Sequence, residues 1–302
     1  MVRVAVAPET APAWVADAVV AGGGTLVPPP EAEALVWFDA LHPEDLVPVL
    51  DEAPGARWVH LPWAGVEPYL ALIDDGRTWT CGKGVYAEPV AEHAILLALA
   101  GLRDLSRRVV ARTWERGSGT SLYDRPVTIL GGGGITEELV RHLAVYRCEI
   151  TVVRRRPEPL DGVARVLPSD RLLDALPGAQ VVFLALALTP ETAGIIGGRE
   201  LAAMDPTAWL VNVARGAHVV TDDLVVALQS GTIAGAALDV TEPEPLPEGH
   251  PLWGLPNCII TPHTANTVAM AQPAIVARIT ANVGRFGAGE PLIGLVDPAA
   301  GY

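Results

Sequence analysis

The sequence predicts an α/β fold, and three observations carry that prediction. Short apolar runs rich in β-branched and aromatic residues alternate with amphipathic segments along almost the whole chain. Most of these runs are apolar at nearly every position, the pattern of parallel strands covered on both faces. One of them, Val127–Leu130, leads straight into Gly131–Gly134 ahead of a helical pattern, which places a tight strand-to-helix turn in mid-chain.

Taken in order, the first third offers strands at Val2–Ala7, Leu35–Phe38, Trp58–His60 and Trp79–Cys81. A long helical pattern from Val90 to about Arg112 follows, interrupted only by Gly101, and the polar loop Glu115–Arg125 lets a second domain start afresh. The second series of strands is Val127–Leu130, Ile150–Val153, Val163–Val166, Val181–Leu186, Trp209–Val213, Ala234–Leu238 and Cys258–Thr261. Helical patterns at Glu137–Tyr146, Asp170–Leu176, Arg199–Met204 and Thr221–Gln229 lie between them. The last helical stretch, Val268–Phe286, is too short to be a domain and is expected to return to the first one. The expected division is therefore 1–94 with 270–302, and 95–269.

Composition narrows the function classes. With 21 Lys plus Arg against 35 Asp plus Glu the formal charge of the 302-residue chain is −14, which disfavours nucleic acid and anionic membranes as partners. Half the residues are apolar, ample for packed cores, yet no apolar run is long enough to span a bilayer. The opening MVRVAVAPE reads as a strand, so no export signal is visible and a cytoplasmic location is expected. Three scattered cysteines, Cys81, Cys148 and Cys258, imply neither a disulfide framework nor a zinc cluster, and no metal is expected.

The glycine-rich turn is a candidate dinucleotide site. Glycine permits positive φ and close approach of backbone to a pyrophosphate, and the helix N-terminus adds unpaired N–H groups and a positive dipole end. Gly131 and Gly133 match the first two fingerprint glycines, Thr136 stands at the last, and Gly134 and Ile135 would supply backbone N–H groups. After the next strand, where a carboxylate would hold the ribose hydroxyls of NAD, the chain has Arg154-Arg155-Arg156. Guanidinium groups there suit a 2′-phosphate, so Arg154 and Arg155 point to NADP(H) in preference to NAD(H), which remains possible. A solvated basic loop is the alternative.

Three charged residues stand just past late strands, where open α/β sheets bind ligands. These are Arg215 in NVARG, Glu244 in LDVTEPEPL and His263 in TPH. Arg can grip a carboxylate or ketone oxygen with two N–H groups, and His can carry a proton at neutral pH. A carboxylate against the imidazole orients it and raises its pKa, so that it can donate to a developing alkoxide.

These residues, with LPWAGVEPY, PVAEHAILLALA, VTILGGGGI, FLALALTPETAGII, LVNVARGAHVV, GAALDVTEPEPLP and PLWGLPNCIITPHTA, resemble the D-isomer-specific 2-hydroxyacid dehydrogenase family over nearly the whole chain. The resemblance implies two Rossmann-like domains: a central, doubly wound dinucleotide-binding domain and a discontinuous, flavodoxin-like substrate domain, with the nicotinamide at the floor of a cleft between them. It implies that Arg215 binds substrate, that Glu244 pairs with His263 and that His263 is the acid/base. Asp239 would meet the nicotinamide end, and backbone near Leu186, Thr192 and Val213 would line its ribose. In the first domain, the turn Ala64, Gly65 and Val66 after Trp63 looks like the loop whose N–H groups hold the substrate carboxylate. The departures are Thr136, Ala187 where proline is frequent, and Asn266 where glycine is usual; none removes a candidate catalytic group.

The implied activity is hydride transfer between NADP(H) and a small 2-oxo or 2-hydroxy acid, as in glyoxylate/hydroxypyruvate reductases, by a homodimer. Alternatives are a short phosphoglycerate dehydrogenase, a phosphite-oxidising relative and a non-catalytic dinucleotide-sensing protein. Of the other histidines, His60 could touch substrate or be an ordinary strand histidine, and Glu92-His93 is expected to be structural. His42, His142, His218 and His250 are given no role. Trp63, Tyr69 and Trp79 suit either a pocket or a core.

Overall fold

A computed structural model describes residues 1–298 apart from 40, 74, 75, 115 and 118. The expected loop 115–125 and the C-terminal tail thus lie partly outside the described residues. The chain divides into two compact units, Met1–Tyr86 together with the chain from Thr267 onward, and Ala87–Asn266.

The first unit runs β1 (Arg3–Ala7), α1 (Ala13–Ala21), β2 (Thr25–Leu26), β3 (Ala34–Trp37), α2 (Leu46–Glu52), β4 (Trp58–His60) and β5 (Thr78–Thr80). All pairings are parallel and the order is β2-β1-β3-β4-β5, the flavodoxin-like wind. Its core gathers Leu35, Trp37, Val59, Tyr69 and Trp79, so Tyr69 and Trp79 are packing residues. The short strand β2 has no counterpart in the sequence reading, because its two residues are exposed and carry no apolar pattern.

The second unit opens with α3 (Ala87–Leu102) and α4 (Leu105–Val109) where one continuous helix was expected. The break is at Asp104, whose φ of 50° and ψ of 41° are left-handed. Asp tolerates that conformation better than most residues, and Thr120 N–H closes the helix end on Leu102 O at 2.8 Å. Gly101, the expected weak point, instead lets α3 lie close to the sheet: a Cβ there would stand 2.3 Å from the Trp209 ring. Because α3 packs against this unit's own elements, the division falls at its first residue instead of at 94/95.

Then follow β6 (Pro126–Leu130), α5 (Gly134–Val145), β7 (Glu149–Val153), β8 (Arg165–Leu167), β9 (Val181–Leu184), α6 (Gly198–Ala203), β10 (Trp209–Asn212), α7 (Thr221–Ser230), β11 (Gly235–Leu238), α8 (Pro251–Gly254) and β12 (Cys258–Ile260). The segment expected to be helical at Asp170–Leu176 is a 3-10 turn at Ser169–Asp174. The parallel sheet order β12-β11-β10-β9-β6-β7-β8 reverses direction between β6 and β9, a doubly wound Rossmann arrangement. Strands β9, β10 and β11 are buried at every residue, as sheets covered on both faces require.

Finally α9 (Val268–Ala288) returns to the first unit, where Thr280 Oγ1 donates to Ala18 O at 3.1 Å and Arg278 donates to Cys81 O at 3.0 Å. No helix of the described residues is long and apolar enough to cross a membrane.

His60 lies in the core of the first unit, 1% exposed, with Nδ1 2.8 Å from Thr80 Oγ1. That hydroxyl accepts from Trp58 Nε1 at 2.8 Å, and among the described residues His60 Nδ1 is the acceptor in reach of its own proton, which puts the ring proton on Nε2. Burial, helped by the positive charge of Arg278, pushes its pKa down to about 3. The folded state therefore keeps His60 neutral while the unfolded chain takes up a proton below pH 6.5. Stability contributed by this site should be intact above that pH and fall by up to about 1.4 kcal/mol per pH unit below it. Urea titrations between neutral pH and the pKa of the folded state should show this slope, and His60→Asn, which keeps an acceptor facing Thr80, should flatten it.

Candidate active site

The glycine-rich turn sits where the second sheet reverses. Gly131 has φ +130°, and a Cβ on it would stand 2.0 Å from Ala185 O, so only glycine lets β6 leave the sheet beside β9. Gly133 is the N-cap and Gly134 the first residue of α5, which starts three residues earlier than its sequence pattern suggested. The first-turn N–H groups of Gly134, Ile135 and Thr136 have no helical carbonyl to bond. Space around Gly133 is open, with nothing within 4 Å of a built Cβ. The Thr136 side chain is buried, and its hydroxyl has no described partner.

Arg154 and Arg155 follow β7 directly. The Arg154 stem lies over Gly132, where a Cβ would meet its Cδ at 2.7 Å, and Nη2 donates to Glu158 O at 2.7 Å. Its Nε is buried without a partner in the described chain, an unspent donor beside the glycine turn. Arg155 is exposed. A glycine cradle, a free helix N-terminus and an orphaned guanidinium N–H together suit a dinucleotide carrying an extra phosphate. Of the other residues expected to line the cofactor, Leu186 packs on the core, Thr192 Oγ1 donates to Ala187 O at 2.8 Å inside its own loop, and Val213 is buried after β10.

Arg215, Glu244 and His263 come together past β10, β11 and β12. Asn212 Nδ2 donates to Arg215 O at 2.9 Å, and Arg215 N–H points to His218 Nδ1 at 3.2 Å. His218, given no role by sequence, is buried, with Nε2 3.2 Å from Ala187 O; its ring shapes the Arg215 turn. Gly216 presses on the next loop so closely that a Cβ would overlap Thr241 O at 1.9 Å, which ties the Arg215 turn to the segment leading to Glu244.

His263 Nδ1 and Glu244 Oε1 are 2.6 Å apart. That bond raises the His263 pKa against the opposing effect of burial, and the same bond lowers that of Glu244. The charge of Arg215 also helps hold Glu244 down and opposes protonation of His263. With side chains 52% and 41% exposed, the pair matters for proton position far more than for stability. The bond to Glu244 occupies Nδ1 of the His263 ring and not Nε2.

The loop bearing His263 is anchored by Asp239, 2% exposed at the end of β11. Its Oδ1 accepts from Thr261 Oγ1 at 2.6 Å and Thr264 N–H at 2.9 Å, and Oδ2 accepts from Ala265 N–H at 3.0 Å. Thr261 spends its one hydroxyl proton on this carboxylate, so it accepts from His93 Nε2 at 3.0 Å, fixing the His93 proton on Nε2. Burial pushes the Asp239 carboxyl up, but the bonds from His93, Thr261, Ala265 and Thr264 outweigh it and hold it below the ordinary range. His263 N–H donates to Asp239 O at 2.8 Å, with the residue itself left-handed at φ 53°. Sequence pattern offered no signal for Thr261, and His93 read as structural. Among the described residues no cluster of three or more His, Cys, Asp or Glu could hold a metal ion.

In the first unit, Val66 is buried, Gly65 half-buried and Ala64 exposed. The N–H groups of Ala64, Gly65 and Val66 donate to no described residue.

Residues 93–265 match the model of the D-isomer specific 2-hydroxyacid dehydrogenase NAD binding domain. A glyoxylate/hydroxypyruvate reductase A of Photorhabdus laumondii is 35% identical over 89% of this chain and 87% of its own. An uncharacterised protein of Corynebacterium melassecola is 37% identical over 94% and 95%. Among solved structures, a D-isomer specific 2-hydroxyacid dehydrogenase of Xanthobacter autotrophicus in complex with NADPH and MES superposes with TM-score 0.86 at 28% identity, covering 100% of this chain and 99% of its own. An NADPH-dependent glyoxylate/hydroxypyruvate reductase of Sinorhizobium meliloti in complex with NADP and sulfate gives 0.84 at 25%, covering all of both chains.

Thr261→Val removes a donor to Asp239 and an acceptor for His93 without changing size. It should cost about 1–3 kcal/mol in chemical unfolding, with Thr261→Ser restoring most of it.

Proposed function

The chain belongs to the D-isomer specific 2-hydroxyacid dehydrogenase family, and we propose that it is an NADP(H)-dependent reductase of 2-oxo acids, glyoxylate and hydroxypyruvate among them. As a member it is an oxidoreductase built on an NAD(P)-binding Rossmann domain. The observation that carries the reading is the 2.6 Å His263–Glu244 bond beside Arg215, at the carboxyl ends of β10, β11 and β12.

The dinucleotide, when bound, supplies the hydride. Gly133, Gly134 and Ile135 would cradle its pyrophosphate with backbone N–H groups, Gly131, whose own N–H donates to Val153 O at 2.9 Å, would give the turn its close approach, and Arg154 and Arg155 would take the 2′-phosphate. Leu186, Thr192, Val213 and Asp239 border the nicotinamide half. The relatives named for NADPH support this cofactor choice.

Arg215 offers its guanidinium fork to the oxo acid, polarising the ketone as negative charge develops on oxygen. The amides of Ala64, Gly65 and Val66 receive the carboxylate. Protonated His263, its Nδ1–H on Glu244, gives the Nε2 proton to the developing alkoxide, and in the oxidative direction the neutral ring takes that proton back. Because Glu244 raises the His263 pKa, the proton-loaded form persists to higher pH. Reduction should fall as pH rises through that raised value and oxidation should fall below it. The exposed apolar residues Leu105, Val109, Val110 and Trp114 support a homodimer, for which a sedimentation mass of two chains is expected.

One assay series tests the reading. Wild type should consume NADPH with 2-oxo acids, and His263→Ala should lower kcat by about 10²–10⁴-fold. In Glu244→Gln the alkaline limit of reduction should move to lower pH. Arg154→Asp with Arg155→Ala should weaken NADPH by at least about tenfold while sparing NADH. NADPH binding without turnover of any 2-oxo acid, alike in wild type and His263→Ala, would instead favour a dinucleotide-sensing protein.

A further inference from the structure

Three strand-to-helix connections of the first unit each place an aromatic side chain at the carboxyl ends of its parallel strands. Trp14 opens α1 after β1, Phe38 follows β3, and Trp63 stands three residues past β4. Their rings form a continuous row: Trp14 meets Phe38 edge-on with centroids 4.9 Å apart, and Phe38 meets Trp63 at 6.3 Å. Behind the row, Tyr86 backs Trp63 at 5.4 Å. The Tyr86 hydroxyl is bonded to Pro62 O, and its ring occupies space that a Cβ on Gly82 would fill, so Trp63 rests on a fixed support.

Packing alone does not account for the row. Trp37, Tyr69 and Trp79 are nearly inaccessible members of the core built around Leu35 and Val59. Trp14, Phe38 and Trp63 remain partly exposed and stand outside that core, so they present hydrocarbon to an open edge. That edge is where α/β sheets bind ligands.

The neighbouring turn says what the ligand is. Trp63 immediately precedes Ala64, Gly65 and Val66, whose N–H groups have no described acceptor. Gly82 N–H holds Trp63 O at 3.0 Å, so the turn and the indole share one anchor. Successive free amides in a turn suit an anion. In a 2-oxo acid the carboxylate and the substituent are separated by the keto carbon alone, so an acid seated on these amides extends its substituent toward the adjoining ring.

We propose, resting on the reductase reading above, that Trp14, Phe38 and Trp63 form the wall that receives the substituent of the 2-oxo acid. The chain then prefers acids with branched or aromatic apolar side chains, and turns over glyoxylate and hydroxypyruvate less efficiently. Glyoxylate has no substituent to bury, and the hydroxymethyl group of hydroxypyruvate gains little from a hydrocarbon wall.

The test compares phenylpyruvate, 4-methyl-2-oxopentanoate, hydroxypyruvate and glyoxylate with saturating NADPH, in wild type, Trp63→Ala, Trp63→Phe and Phe38→Ala. The expected kcat/KM ratio of phenylpyruvate to glyoxylate in wild type is at least about tenfold; Trp63→Ala and Phe38→Ala should each reduce it by about tenfold or more, and Trp63→Phe should keep most of it. A second readout needs no turnover: calorimetric titration of the NADPH-loaded enzyme with 3-phenyllactate should show affinity lost in Trp63→Ala and retained in Trp63→Phe. A wild-type ratio below one, or a ratio unmoved by Trp63→Ala, overturns this inference and leaves the reductase reading standing. NADPH binding with no turnover of any of the four acids overturns the reductase reading and this inference with it.

Discussion

The second unit's candidate site depends on one buried carboxylate. Asp239 stands at the end of a strand whose every residue is buried, and an ionised group there is tolerable only if donors surround it. Those donors are the hydroxyl of Thr261 and the amides of Thr264 and Ala265, the residues that flank His263. Satisfying the charge and shaping the histidine loop are therefore one event. The left-handed backbone of His263, an uncommon conformation for a side chain of its size, is held between segments that the carboxylate has already fixed.

Close backbone approaches organise the rest of that site. At Gly131 and Gly216 a Cβ would collide with the backbone oxygens of Ala185 and Thr241, and at Gly132 it would meet the side-chain stem of Arg154. Two of them lie in the glycine-rich turn and one in the Arg215 turn, so the proposed cofactor and substrate groups are set by backbone packing as much as by side chains. They also reconcile an acidic chain with anionic ligands. A formal charge of −14 is spread over the whole molecule, while the guanidiniums of Arg154 and Arg215 and the amides of two turns supply positive potential locally.

Much of this was legible in the sequence, for reasons that differ by element. The strands of the second sheet were readable because burial on both faces leaves long apolar runs, and Arg215, Glu244 and His263 because they follow those runs in recognisable contexts. The two-residue β2 left no pattern, and α5 began earlier than its periodicity because glycines carry no hydrophobic signal. Helix α3 ends at Leu102, and the left-handed Asp104 just beyond it breaks a pattern that looked continuous. His93, Thr261 and His218 were beyond reach for another reason: their roles are hydrogen bonds to residues distant in sequence, and a single polar residue does not announce its partner.

Helix α3 carries a cost that its sequence alone would not reveal. Gly101 weakens the helix intrinsically, and it is retained because the Trp209 ring lies directly against it. The helix is thus ordered by the sheet beneath it, while His93, two turns upstream, supplies the proton that completes the Thr261 bridge. Any opening of α3 that lifts it from Trp209 also strips a donor from the Asp239 network. Amide exchange along α3 and loosening of the histidine loop then belong to the same cooperative unit, and the proton-carrying geometry is only as durable as the fit of one indole against a helix with no side chain at that point.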